Sequence, residues 1–207
     1  MKSFCITPSS FFFKNPFFFL FLLSGFPFQA AAQTIRYVMK TETGNGTGSS
    51  WENASKDLQR MIYESEAGDE VWIAKGTYYP DRYVLIPGIS ITVPLFTGDL
   101  TFSIKPGVKI HGGFAGNETS KDQRGSQDNE TILSGNVGEK GKDDDNSYHT
   151  VTVLGVGEGT LLEGVTITDG NADNDNSLDL PGIPVLSPGS TTRLRNRGGG
   201  IYIIYSP

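Results

Sequence analysis

From residue 70 onward, the chain is a succession of short runs rich in β-branched and aromatic residues, each closed by Gly, Asn or Asp. Three of these runs are EVWIAKGTY at 70–78, VKIHGGF at 108–114 and TLLEGVTIT at 160–168. Runs of this length and composition, bounded by turn residues, predict β-strands. An apolar period of 3.6 residues does not return after residue 68. The sequence therefore predicts an all-β body, with IYIIY at 201–205 as a further strand.

One helix is predicted ahead of the strands, over about 55–66. Its apolar residues have the i, i+3, i+4 spacing of a single helix face: Leu58, Met61 and Ile62. We expect Asn53 or Ser55 to cap its start and Gly68 to end it in the left-handed conformation. Trp51, just before the cap, is expected to pack back onto the first turn.

An internal repeat favours one all-β architecture over another. IKPGVKIHGGFA at 104–115 aligns without gaps on LLEGVTITDGNA at 161–172, an offset of 57. Each copy has a turn glycine, an alternating triplet and a second small-residue turn, which suits a parallel β-solenoid whose coils stack on one another. A β-sandwich is the alternative, but few Asn-Gly or Asp-Gly hairpin turns separate the runs. In a solenoid, the apolar stripe of the helix would cover the open end of the first coil.

The first 32 residues predict a secretory signal peptide. An apolar run, Phe17–Phe28, is interrupted by Gly and Pro and is followed by three alanines that end at Ala32. Cleavage there would remove the only cysteine, Cys5, and two lysines, which takes the net charge from −6 to −8. Such an acidic chain is not expected to bind nucleic acid, which needs a basic surface. We expect a secreted, extracellular or outer-membrane-surface protein with no transmembrane segment in the mature chain, 33–207.

The segments GDEVWIAKGTY, VKIHGGFAGNETS and GGGIY give the chain a family resemblance. They resemble the right-handed parallel β-helix proteins exported by Bacteroidetes-type bacteria, which are related in fold to pectate lyases and polymorphic outer-membrane proteins. The resemblance implies an all-β, right-handed parallel β-helix with an N-terminal capping α-helix at about 53–67 and coils over about 70–207. Because such proteins continue for more coils, it also implies truncation at the C-terminus, with further coils or a partner covering the last strand. Fold alone does not fix function.

Two acidic segments are candidates for chemistry. Asp143, Asp144 and Asp145, with the carbonyl of Asn146, offer the hard oxygen ligands that Ca²⁺ prefers, although a solvated loop has the same composition. The second set consists of acids and following arginines: Asp169, Asp173, Asp175, Arg193 and Arg195. In the polysaccharide lyases that the chain resembles, acids bind calcium while a basic group removes a proton, and related hydrolases pair aspartates.

The aromatic and imidazole candidates are fewer. Tyr78, Tyr79 and Tyr83 are candidates for stacking on sugar rings, and packing beside the helix is their alternative role. His111 and His149 are the two histidines, too far apart in sequence to predict a metal site or general base; His111 is expected to face outward from an alternating strand.

Three hypotheses about function follow. The first is an exported, non-catalytic interaction or adhesive protein that binds carbohydrate or another cell-surface ligand. The second is a calcium-assisted polysaccharide lyase or glycoside hydrolase. The third is an N-terminal fragment of a longer surface protein, without independent activity.

Overall fold

The computed structural model of the chain describes residues 32–83, 97–125, 127–155, 158–173, 178–179, 192–193 and 199–204. All of them belong to one compact unit, 32–207. The predicted signal peptide and the coils expected in the intervening ranges lie outside the described residues. Within the ranges above, no helix has the length and apolar character needed to cross a membrane.

The described chain is mainly β-structure with one α-helix, α1, at Leu58–Glu64. The strands, in chain order, are Ile35–Val38 (β1), Glu70–Ala74 (β2), Gly76–Tyr78 (β3), Phe102–Ile104 (β4), Lys109–Phe114 (β5), Thr131–Ser134 (β6), Val151–Leu154 (β7), Leu161–Glu163 (β8), Thr166–Thr168 (β9), Leu178–Asp179 (β10), Thr192–Arg193 (β11) and Ile201–Ile204 (β12). The prediction of short strands after a single helix is confirmed.

The strands form three parallel sheets that the chain visits in turn. The first sheet has the order β1-β2-β5-β8, the second β3-β6-β9 and the third β4-β7-β12. Successive strands β2, β3 and β4 therefore belong to three different sheets, and β5, β6 and β7 repeat that order. An antiparallel pair, β10 with β11, lies in sequence between β9 and β12.

The three sheets and the helix share one hydrophobic core. Its members come from β1, β2, α1 and each of the three sheets: Val38, Leu58, Met61, Ile62, Val71, Ile73, Tyr78, Phe102, Ile104, Val108, Ile110, Leu133, Val151 and Val153. The predicted helix stripe thus lies in the core. Alternate residues of β2, Trp72 and Ala74, join a second cluster instead, so this strand is buried on both faces. A strand covered on both sides explains the continuous apolar run VWIA.

Aromatic rings build that second cluster. Trp72 stacks on Phe114 with ring centroids 4.6 Å apart, and Trp51 lies 4.8 Å from Tyr37 in an edge arrangement. The Trp51 indole N–H donates to the Glu118 carbonyl at 2.9 Å. The prediction that Trp51 packs on the helix was therefore wrong, because its ring packs in this aromatic cluster instead.

The helix is shorter than predicted at both ends. It begins at Leu58 because Asp57, rather than Asn53 or Ser55, is the N-cap, accepting the Arg60 N–H at 2.8 Å. It ends at Glu64 with an extended Ser65 as C-cap. Gly68 has the expected positive φ, 99°, but uses it in the turn before β2.

The 57-residue repeat does not match the strand pairing. In the first sheet, Lys109 pairs with Leu161, a separation of 52 positions. Ile104, which the sequence alignment placed on Leu161, lies in the third sheet. The preceding pair in the first sheet, Glu70 with Lys109, is 39 positions apart. Connections of unequal length therefore remove any fixed period, and the aligned Gly113 and Gly170 are not equivalent, because Gly113 lies within β5 and Gly170 follows β9.

Candidate functional site

A cleft of about 310 Å³ lies beside the start of α1 and the segment after β3. Its lining includes the side chains of Tyr79, Asp57 and Asp81 together with Lys40 and Lys56. Helix capping places Asp57 there, because the N-cap residue stands at the end of the helix. The cleft thus combines an aromatic ring with both charge signs. We call it the Tyr79 cleft.

Tyr79 is the exposed aromatic residue of this cleft, with 49% of its surface accessible. The Lys40 ammonium lies 5.0 Å from the centre of its ring, within cation–π range. The same ammonium donates a hydrogen bond to the Thr77 carbonyl, which keeps it beside the ring. The ring is therefore held by a cation while about half of its surface faces solvent.

The two acidic groups of the cleft differ in their hydrogen bonding and in their exposure to solvent. The Asp57 carboxylate accepts two hydrogen bonds from the Arg82 guanidinium, at 2.7 and 2.6 Å. These bonds are the main reason that the pKa of Asp57 lies below its usual value, so it is an anion at neutral pH. Asp81 lies 3.7 Å from Nη1 of the same guanidinium, but 67% of its side chain is exposed. Asp81 and Lys56 are thus the charged groups most open to a ligand.

The other two predicted stacking tyrosines are placed differently. Tyr78 is 5% exposed, belongs to the core, and donates its hydroxyl to the Ala74 carbonyl at 2.9 Å. Tyr78 also lines the Tyr79 cleft, but strand alternation directs most of its ring into the core, and burial raises its pKa, so its stacking on a sugar stays a prediction. Tyr83 is 36% exposed and forms an antiparallel bridge with Leu100, and it does not line the Tyr79 cleft.

A second depression, of about 530 Å³, borders the aromatic cluster, but its buried carboxylate, that of Glu118, is already engaged. The Glu118 carboxylate accepts the backbone N–H groups of Ala115, Gly116 and Asn117 at 2.5 to 3.0 Å. Trp51, which lines the depression, is 8% exposed. These groups hold the 115–118 turn together, and they offer a ligand little aromatic surface.

The two predicted acidic segments meet at one corner of the molecule. The side chain of Asn171 donates to the Asp143 carbonyl at 2.8 Å and to the Asp173 carboxylate at 3.0 Å. Its backbone N–H donates to the Ser147 carbonyl at 2.7 Å. Residues 143–147 and 169–173 are therefore neighbours, and we call them the acidic corner. The Asp169 carboxylate is engaged there by the Ser134 hydroxyl at 2.6 Å.

The remaining predicted catalytic residues cannot be assigned to this corner. Asp175, Arg195 and the side chain of Arg193 lie outside the described residues, although the Arg193 backbone pairs with Leu178 in β10–β11. Asp143 and Asp144 are exposed. In the part of the chain that the structure describes, no group of three or more His, Cys, Asp or Glu side chains is placed to hold a metal ion.

A buried cluster around His111 was not predicted. Its imidazole is fully buried, against expectation, between carboxylates on the two adjacent strands of the first sheet. Nδ1 lies 2.7 Å from Glu163 Oε1, and Nε2 lies 3.5 Å from Glu70 Oε2 without a hydrogen bond. Lys121 bonds to Glu70 at 3.0 Å, and Arg124 to Glu163 at 2.7 Å. The cluster thus links three strands and the 121–124 segment.

The protonation of this cluster suits a structural role. Burial lowers the pKa of His111, against the opposing effect of both carboxylates. The hydrogen bond from His111 is the main cause of the lowered pKa of Glu163. Burial raises the pKa of Glu70, but hydrogen bonds from Trp72 and Lys121 and the nearby charges outweigh it, and the net direction is down. The ring is therefore neutral at neutral pH and donates Nδ1–H to Glu163.

His149 is also buried, ahead of β7, where its ring stacks on Tyr202 at 4.6 Å.

Comparison of the chain with protein-family models, with curated proteins and with solved structures finds no match.

Proposed function

We propose that the chain is an exported, non-catalytic parallel β-helix protein that binds carbohydrate at the Tyr79 cleft, at the cell surface or outside the cell. The N-terminal apolar segment supports export. The parallel pairing in each sheet and the fixed order in which the chain visits the three sheets support a β-helix. Parallel crossovers are right-handed in nearly all proteins, which favours the right-handed form.

The single observation that carries the binding function is the half-exposed Tyr79 ring beside charged side chains in a cleft. The C–H face of a sugar ring packs on an aromatic surface, while its hydroxyls need hydrogen-bond partners of both kinds. Asp81 supplies acceptors and Lys56 supplies donors to the lining of the cleft. The cleft thus offers a neutral sugar ring both an apolar surface and polar anchors.

The state of the acids supports binding without catalysis. Glycoside hydrolysis needs one carboxylic acid that keeps its proton near neutral pH and a second carboxylate opposite to it. Asp57 has its pKa lowered by Arg82, so it is a poor proton donor. Asp81 has 67% of its side chain exposed and lies 3.7 Å from the Arg82 guanidinium, the same cation that pairs with Asp57.

The test is a binding assay of the full-length chain against a panel of immobilised and soluble polysaccharides, by affinity electrophoresis and calorimetry. Tyr79→Ala is expected to weaken binding about fivefold, since an aromatic contact with one ring is worth on the order of 1 kcal/mol. Tyr63→Ala is the matched control. Tyr63 is 55% exposed and has Lys105 5.8 Å from its ring centre, but it does not line the cleft.

Equal losses for the two variants, or binding that neither variant changes, would contradict the assignment of the cleft. Release of unsaturated uronate products or reducing ends during the assay would contradict the non-catalytic role and favour the lyase or hydrolase hypothesis.

A further inference from the structure

Three consecutive residues at the acidic corner each hold a buried oxygen atom without a hydrogen-bond partner. These atoms are Asp145 Oδ1, Asn146 Oδ1 and Ser147 Oγ. Only two other side-chain atoms among the described residues share this condition, Ser103 Oγ and His111 Nε2. Buried polar atoms in native proteins are almost always satisfied by protein, water or an ion. Their concentration in one turn indicates that a ligand belongs there.

The surroundings give this group a negative character. The other Asp145 oxygen accepts the Glu139 backbone N–H at 2.6 Å, which fixes the orientation of the carboxylate. Glycine at 138 leaves room for it, because a Cβ there would lie 2.1 Å from the Asp145 carboxyl carbon. Lys142 forms its ion pair with Glu139, and within the described ranges no cationic side chain pairs with Asp145.

We propose that the 145–147 turn binds Ca²⁺ through these three side-chain oxygens, with water completing the coordination. Asn146 is 3% exposed and Ser147 is fully buried, so neither residue has free access to bulk water. Ca²⁺ accepts carboxylate, amide and water oxygens in flexible geometry, whereas Mg²⁺ requires a strict octahedron and transition metals prefer nitrogen or sulfur ligands. The oxygen-only set therefore disfavours metals that prefer nitrogen or sulfur, and the demand of Mg²⁺ for a strict octahedron is the reason that we propose Ca²⁺.

The ligand set also predicts the affinity. Charge count tunes the affinity of calcium sites, and the turn supplies one carboxylate, of which only Oδ1 is buried. Asp143 and Asp144 are exposed and add a long-range negative field rather than ligands. We expect a dissociation constant on the order of 10⁻⁴ to 10⁻³ M, the range of extracellular calcium modules.

The experiment is a calcium titration of the full-length chain, followed by calorimetry and by thermal unfolding with and without Ca²⁺. At a calcium concentration 100 times the dissociation constant, the melting temperature is expected to rise by about 5 °C or more, and equimolar Mg²⁺ should give a smaller rise. Asp145→Asn should abolish the calcium effect. Asp144→Asn, which removes the same charge from the exposed neighbour, should retain it.

A second variant tests the same site by gain of function. Asn146→Asp adds a carboxylate at a proposed ligand, so it should tighten calcium binding at least tenfold. No calcium effect on the unmodified chain, or equal effects of the Asp144 and Asp145 variants, would overturn the proposal. Unchanged affinity in Asn146→Asp would overturn Asn146 as a ligand and indicate that ordered water satisfies the turn.

This site is independent of the proposed carbohydrate binding. Tyr79→Ala should keep the full calcium response, and Asp145→Asn should keep carbohydrate binding at the Tyr79 cleft. Failure of one proposal is therefore distinguishable from failure of the other.

Discussion

Asp57 performs two roles at once, and substitutions can separate them. It caps α1 through the Arg60 N–H and forms a two-bond ion pair with Arg82. Asp57→Ala removes both roles, whereas Asp57→Asn keeps an oxygen that can cap the helix and removes the charge. The difference between the two variants isolates the cap from the ion pair.

The expected magnitudes follow from the exposure of the groups. Loss of an N-cap costs about 1 kcal/mol. The ion pair is partly exposed, with 23% of the Asp57 side chain and 35% of the Arg82 side chain accessible, so we assign it about 0.5 to 1 kcal/mol. Asp57→Ala should therefore cost about 1.5 to 2 kcal/mol and Asp57→Asn about 0.5 to 1 kcal/mol. At about 2 to 4 °C per kcal/mol, the alanine variant should melt about 3 to 8 °C lower.

The charge contribution should depend on pH in a defined direction. The pKa of Asp57 is lowered in the folded state, so its ion pair stabilises the protein above the unfolded-state pKa of about 3.9. That stabilisation is lost as the pH falls through the folded-state pKa. The difference in unfolding free energy between the unmodified chain and Asp57→Asn should therefore have its full value at pH 7 and should disappear below about pH 3 to 4.

Urea unfolding across this pH range is the assay, with Asp81→Asn as a control that removes an exposed neighbouring acid. A double-mutant cycle with Arg82→Met should recover the pair term alone. If Asp57→Asn costs as much as Asp57→Ala at pH 7, or if its cost does not change with pH, the division into cap and ion pair is refuted.

Two further predictions concern the first sheet. Gly112→Ala should destabilise the fold by about 1 to 3 kcal/mol in urea unfolding, because its Cβ would lie 2.4 Å from the Gly164 carbonyl oxygen. Gly125→Ala is the control and should be nearly neutral, because the nearest atom to its Cβ would be 3.5 Å away. Equal losses of stability in the two variants would contradict the close packing of these strands. Burial lowers the pKa of His111 in the folded state, so its neutral ring stabilises the fold above the unfolded-state pKa of about 6.5, and that stability is lost as the pH falls. His111→Gln, which can keep a bond to Glu163, should therefore lose less stability than the unmodified chain between pH 7 and 5. Equal slopes of unfolding free energy against pH for the two proteins would rule out His111 as the cause.

Local patterns predicted the parts of the fold that depend on neighbours in sequence. The helix stripe and the short strands follow from spacing and composition, whereas neither separated the exposed Tyr79 from the buried Tyr78. The N-cap was missed because four polar residues precede the helix, and only tertiary contact with Arg82 favours Asp57 among them. The run 70–78 forms two strands in different sheets, because the chain turns at Gly76, where φ is 139°.

Features that depend on strand register were not predictable from local patterns. His111 meets Glu163 because β5 and β8 pair with a separation of 52 positions, and the sequence repeat suggested 57. With the wrong register, Glu163 aligns elsewhere and the cluster does not form. The meeting of the two acidic segments likewise depends on β6 pairing with β9, which places Ser134 beside Thr168. Long-range pairing of this kind leaves little trace in composition.

The unequal connections between strands have a consequence for how such a molecule can diversify. Each strand is fixed by its neighbours in the same sheet, while the connecting segments differ in length, and doubling the length of a flexible connection costs only about 0.6 kcal/mol. The separations of 39 and 52 positions within the first sheet show that the ladder tolerates such variation. Insertions between strands can therefore change the surface that faces a ligand while the hydrogen-bonded sheets stay the same. The fold can accept inserted recognition loops for this reason.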